Sequence, residues 1–193
     1  MIKMSIVLAS GSPRRRELME MLDVKDLVII PAKGEEKPPE GAGPGELVMA
    51  LASAKAREVA AARAAGDTVI GADTIVWVDG RVLGKPHSEQ EAGQMLRLLS
   101  GNVHEVYTGV CLIKDGEESC QFDVTRVRFR PLSEREIAAY IKTGEPMDKA
   151  GAYGAQGKAA LFVQSIEGDF FNVMGLPLCM LGEMLKQRGV EVL

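Results

Sequence analysis

The apolar positions of this chain fall into short strand-like runs and helical stripes, punctuated by glycine- and proline-bearing turns. Ile6-Val7-Leu8-Ala9 is an unbroken apolar run and predicts a buried strand. Ser12 suits an N-cap and Pro13 a first helical position, so a helix is expected over about 13–22. Val28-Ile29-Ile30 reads as a second strand, and 34–45, rich in Gly, Pro and Glu, as an exposed loop. Leu47, Leu51, Val59 and Ala62 share one face of an alanine-rich helix expected over 46–65. Residues 67–78 look like strand, broken near Gly71-Ala72-Asp73.

Asp79-Gly80 and Asp115-Gly116 each signal a hairpin, the first returning through 81–83 and the second joining runs 105–113 and 118–129. Ser88-Glu89-Gln90-Glu91 and Ser133-Glu134-Arg135-Glu136 match capping boxes, opening helices that end near Gly101 and Gly144. A glycine-containing loop over 144–157, a strand over 160–166, a helix over 176–187 and a short strand over 190–193 complete the pattern. Helices intermix with hairpins, which predicts a mixed α/β fold. There is no repeat and no evident linker. The 193 residues fit one domain, with room for two lobes.

A formal net charge of -4 argues against a nucleic-acid polymer as partner. The N-terminal apolar run is too short for a signal peptide or a membrane span, so a cytoplasmic protein without a membrane partner is expected. The three cysteines lack CxxC spacing. The second hairpin sets Cys111 opposite Cys120; a cross-strand disulfide is conceivable there, and packed thiols are favoured in a reducing compartment.

Five places carry candidate chemistry. In Ser10-Gly11-Ser12-Pro13-Arg14-Arg15-Arg16, three arginines crowd a helix N-terminus, where partial positive charge disfavours them. A bound phosphate reverses that sign, and hydroxyls, free N–H groups and guanidinium forks suit it. The alternative is a solvated first turn, or pairing with Glu17 and Glu20. Lys55 lies on the apolar stripe and must either snorkel or meet an anion. Asp73, read at a strand end, suits a divalent metal or a proton from water, with Lys85 beyond the hairpin; an ordinary turn aspartate and a surface lysine are the alternative. Glu35-Glu36 offers hard oxygens to Mg²⁺ or Mn²⁺, or is simply solvated. In the loop over 148–157, Tyr153 either stacks on a ligand or packs, and Gln156 offers the donor and acceptor that reading a base edge requires. His87 and His104 show no metal or triad pattern and read as structural or surface residues.

Taken in order, Leu8-Ala9-Ser10-Gly11-Ser12-Pro13-Arg14-Arg15, Ala54-Lys55-Ala56, Gly71-Ala72-Asp73-Thr74, Leu83-Gly84-Lys85-Pro86, the 148–157 loop and Gly175-Leu176-Pro177 resemble the Maf family of nucleotide pyrophosphatases. The resemblance spans nearly the whole chain. It implies a fold like that of the inosine triphosphate pyrophosphatases, a mixed twisted sheet with flanking helices and a central cleft, in a homodimer. It also implies cleavage of a nucleoside triphosphate to monophosphate and pyrophosphate with Mg²⁺ or Mn²⁺. Asp73 matches the catalytic proton acceptor; in the mechanism expected from these residues, Asp73 and Glu36 hold the metal. Arg14, Thr74 and Gln156 match positions of substrate choice; Ser10, Arg15, Glu36, Lys55 and Lys85 match other substrate-binding positions. The loop sequence resembles the branch acting on dTTP and UTP. Hydrolysis of 7-methyl-GTP, and a non-catalytic nucleotide sensor linked to cell division, are the rival readings. Glu35-Glu36 and Asp169-Phe170-Phe171 depart from the family pattern.

Overall fold

A computed structural model describes residues 5–24, 26–34 and 37–192. The elements in order are β1 (Ile6–Leu8), α1 (Pro13–Met21), β2 (Leu27–Ile29), α2 (Pro44–Ala60), β3 (Thr68–Val78), β4 (Arg81–Leu83), α3 (Glu89–Leu99), β5 (Val103–Lys114), β6 (Glu117–Phe129), α4 (Glu134–Ile141), β7 (Val163–Glu167), α5 (Phe170–Met174) and α6 (Leu178–Gln187). Three single-turn 3-10 helices, Glu145–Asp148, Ala150–Ala152 and Lys158–Leu161, lie between α4 and β7. The sheet order is β2-β1-β3-β5-β6-β7, with β4 paired to β3. β1 runs parallel to both β2 and β3, whereas β4 is antiparallel to β3 and β7 to β6. The expected mixed sheet with flanking helices is present.

Local chemistry accounts for most boundaries. Asp79 and Gly80 have φ of 48° and 73°, and Asp115 and Gly116 have 51° and 80°. Two successive positive φ values are what a two-residue hairpin turn of matching twist requires. The Ser88 and Ser133 hydroxyls accept from the N–H groups of Glu91 and Glu136, capping α3 and α4. α2 starts inside the expected loop, because Pro44 takes its first position and the Glu46 carboxylate accepts the Gly43 N–H at 3.3 Å. It stops at Ala60, short of the expected 65. The expected strand over 160–166 begins later, after a 3-10 turn. Residues 190–192 form no strand, and Leu193 lies outside the described residues.

β3 corrects a larger expectation: it runs unbroken through Gly71-Ala72-Asp73. Gly71 is a site of close approach rather than a break. A Cβ there would collide with the Ala52 carbonyl and Ala56 of α2. The alanines of α2 and this glycine let helix and strand backbones nearly touch.

The chain divides into two compact units, residues 1–73, 108–123 and 175–193, and residues 74–107 and 124–174. In the first, Val7, Ala9, Ala52, Ala56, Val59, Val69 and Cys111 form a buried cluster. In the second, Val76, Leu96, Leu99, Phe129, Tyr140, Tyr153 and Phe162 belong to a larger one. His104 is buried within the second core, its Nε2 2.7 Å from the Tyr153 hydroxyl and its ring edge-on to Phe129. Burial lowers its pKa to about 4. His104 is therefore structural, and His87 is exposed.

Cys111 and Cys120 are joined as a cross-strand disulfide with Cα atoms 4.1 Å apart. The favoured expectation was packed thiols. The Asp115-Gly116 turn between β5 and β6 sets the two positions opposite each other, which brings the two sulfurs together. Cys179 is free and exposed. Among the described residues, no helix is long and apolar enough to cross a membrane.

Candidate active site

The turn after β1 is built around Ser10, which is buried. Its Oγ accepts the Ser12 N–H and the Arg15 Nη1–H, both at 3.2 Å. Arg15 Nε also donates to the Gly175 carbonyl at 2.7 Å. Ser12 occupies the N-cap of α1, but its side chain makes no capping bond. The three arginines thus divide. Arg15 is fixed inward by two acceptors, Arg14 is half-buried on the same turn, and Arg16 is exposed and paired with Glu20 at 2.8 Å. Surface pairing describes Arg16.

Lys55 meets an anion. Its ammonium lies 2.5 Å from Asp73 Oδ1, with 18% and 12% of the two side chains exposed. Lys55 shares the face of α2 that carries Ala52 and Ala56, and Asp73 shares the face of β3 that carries Gly71. Asp73 stands inside a continuous strand rather than at its end. β1 pairs with β3 in the register Leu8↔Ile70, and the Ala9 N–H donates to the Ile70 carbonyl.

Strand residues alternate faces, so Thr74 projects from the face of β3 opposite to that of Asp73. It shares its face with Val76, against which Gly151 of the 148–157 loop packs. The Gly151 N–H donates to the Gly84 carbonyl, next to Lys85. Lys85 and Gln156 are both exposed. Tyr153 packs in the core against His104 and Phe129 and is buried, so its packing role holds and its stacking role does not.

Glu35 and Glu36 lie outside the described residues. The segment before them is held by Glu58 of α2, whose carboxylate accepts the N–H groups of Lys33 at 2.7 Å and Gly34 at 2.8 Å. Those two bonds hold its carboxyl below the ordinary range.

The structure therefore brings together Ser10 with Arg15, and Lys55 with Asp73, all in the first unit. Thr74, Lys85 and Gln156 belong to the second. Four contributors escaped sequence reasoning: Gly175 as an acceptor for Arg15, Glu58 as a loop anchor, and the Tyr140 and Glu145 side chains around the 148–157 loop. Only long-range contacts reveal the first two. Glu145 itself stands in the glycine-containing loop over 144–157.

A hard cation that arrives with phosphate groups needs only one or two protein carboxylates. Asp73 fits that demand, since its remaining oxygen atom is a hard donor beside an ammonium that also attracts phosphate. Among the described residues, the one cluster of three metal-ligand side chains is Cys111, Glu118 and Cys120, and the disulfide occupies both of its sulfurs.

The family model described as Maf-like protein matches residues 5–188. The chain belongs to the Maf family. Among Maf relatives, a protein of Thermococcus gammatolerans named dTTP/UTP pyrophosphatase is 52% identical over 97% of this chain and 98% of its own. One of Bacillus mycoides with the same name is 49% identical over 97% of each. The fold is that of the Ham1 proteins. The Staphylococcus aureus Ham1 protein superposes with a TM-score of 0.54 at 15% identity, covering 95% of this chain and 99% of its own. A HAM1 protein from Coxiella burnetii gives 0.52 at 18% identity, over 96% and 100%.

Proposed function

We propose that this Maf protein hydrolyses dTTP and UTP to the monophosphate and pyrophosphate. The observation that carries the reading is the Lys55–Asp73 pair on adjoining faces of α2 and β3, in the same compact unit as the Ser10–Arg15 turn. The near-complete match to relatives named for this activity supports the choice of substrate.

In this reading Arg15, preset by Ser10 and Gly175, presents its fork to phosphate oxygens, with Arg14 beside it. Lys55 and Lys85 add positive charge to the triphosphate. Asp73 accepts a proton from the attacking water as an oxygen–phosphorus bond forms and pyrophosphate leaves. Lys55 keeps Asp73 oriented before substrate arrives. Asp73 and Glu36 would hold the Mg²⁺ or Mn²⁺, which supplies charge neutralisation at the phosphates. Most of the work is positioning and charge stabilisation, as phosphoryl chemistry requires. Thr74 and Gln156 select the base. The protein acts as a cytoplasmic homodimer in this reading.

The test is pyrophosphate release from a panel of nucleoside triphosphates, including 7-methyl-GTP, with Mg²⁺ and with Mn²⁺. Release fastest from dTTP and UTP is expected. Binding without release is the result a sensor gives, and preference for 7-methyl-GTP is the result the sister activity gives; either overturns the reading.

A further inference from the structure

Gln156 is exposed at the tip of a loop whose backbone is held on both sides. Two residues before it, the Gly154 N–H donates to the Tyr140 hydroxyl at 3.3 Å. Two residues after it, the Lys158 N–H donates to Glu145 Oε2 at 3.1 Å. The Tyr140 hydroxyl in turn donates to Glu145 Oε1 at 3.0 Å. One phenol and one carboxylate thus make a bridge that spans Gln156.

The bridge is itself fixed. Tyr140 is 3% exposed, and its ring stands edge-on to Phe162 at 5.1 Å. The Glu145 N–H donates to Thr143 Oγ1 at 3.2 Å. The Lys149 ammonium donates to the Glu145 carbonyl at 2.8 Å and to Asp148 at 2.6 Å. Burial and the Glu145 carboxylate hold the Tyr140 phenol well above its ordinary range, so it remains a donor at physiological pH.

The bridge also accounts for one glycine. A Cβ at position 157 would fall on the Glu145 carboxylate, and one at position 154 would stand 2.6 Å from Cε of Lys149, whose ammonium donates to the Glu145 carbonyl. The loop lies close against the carboxylate because position 157 lacks a side chain.

We propose that Tyr140 and Glu145 are positioning residues for base selection, fixing the height of the backbone on either side of Gln156. The inference rests on Gln156 as the reader of the base edge. A glutamine amide offers a donor and an acceptor, and rotating it suits several bases. Its chemistry alone therefore selects weakly. The distance from its backbone to the base edge is what separates a one-ring base from a two-ring base. Holding Gly154 and Lys158 sets that distance.

The test compares dTTP with dATP for the full chain and for Tyr140→Phe, Glu145→Ala, Glu145→Gln and Gln156→Ala, together with amide exchange at Gly154 and Lys158. Tyr140→Phe keeps the buried ring and removes only the hydroxyl, so it tests the bridge without a cavity. The expected result is roughly a tenfold fall in the dTTP-to-dATP ratio of kcat/KM, carried by KM more than by kcat, with faster exchange at both amides. Glu145→Gln keeps one acceptor and recovers part of the loss. If Gln156→Ala lowers the ratio while Tyr140→Phe and Glu145→Ala leave it at the wild-type value, the bridge is overturned and the role of Gln156 stands. If Gln156→Ala leaves the ratio intact, the reading of Gln156 fails and the proposal falls with it. Should Glu145→Ala fail to fold, Tyr140→Phe decides alone.

Discussion

Lys55 and Asp73 face each other between α2 and β3, the ammonium 2.5 Å from the carboxylate and both side chains mostly removed from water. Asp73→Asn keeps the shape of the carboxylate and removes both its charge and its basicity. Turnover of dTTP is expected to fall by at least about two orders of magnitude, the usual contribution of a general base. Steady-state pyrophosphate release measures it, and near-wild-type turnover would remove Asp73 from the chemistry.

Arg15 and Arg16 are neighbours with different fates. Arg15→Lys replaces a fork that reaches Ser10 and Gly175 together with a single ammonium that cannot. Losing a charge-assisted bond of about 1.5–3 kcal/mol predicts a KM for dTTP raised roughly tenfold or more. Arg16→Ala touches only the exposed pair with Glu20 and should leave KM within about a factor of two. Equal effects from the two variants would contradict this division.

His104 ties stability to pH. Its folded pKa is lowered to about 4, so between that value and about 6.5 the unfolded chain binds the proton and the native one does not. Stability is then complete above about pH 6.5 and declines as pH falls toward 4, by on the order of 3 kcal/mol in all. Urea unfolding across that range should show the slope in the wild type and a shallower one in His104→Gln. Parallel pH profiles would count against the assignment.

The disulfide gives a count. Thiol titration of the native protein without reductant should find Cys179 alone, and after denaturation and reduction all three cysteines. Three thiols in the unreduced, denatured protein would show that Cys111 and Cys120 pack without bonding.

Signals confined to a few consecutive residues were legible in the sequence. The two Asp-Gly turns, the serine caps of α3 and α4 and the apolar run of β1 all form where expected, because each depends on local backbone chemistry. Features that depend on a distant partner were misread or left open. Gly71 looked like a break because the carbonyl of Ala52, which demands a glycine there, is far away in sequence. The partner of Lys55 was described only as some anion, and the acceptor for Arg15 at Gly175 gave no local sign. Tyr153 had two open roles until its contacts with His104 and Phe129 settled the packing.

The two-sidedness of β3 places an unusual constraint on how this gene can change. Asp73 and Thr74 are adjacent in sequence yet project from opposite faces, and Gly71 must keep the parity of Asp73. Removing one residue from 68–70 while the start of the strand keeps its place would shift Gly71 and Asp73 by one position and turn a side chain of the wrong parity toward the α2 backbone. A frame-preserving one-codon deletion there would thus be as damaging as a substitution of Asp73 itself.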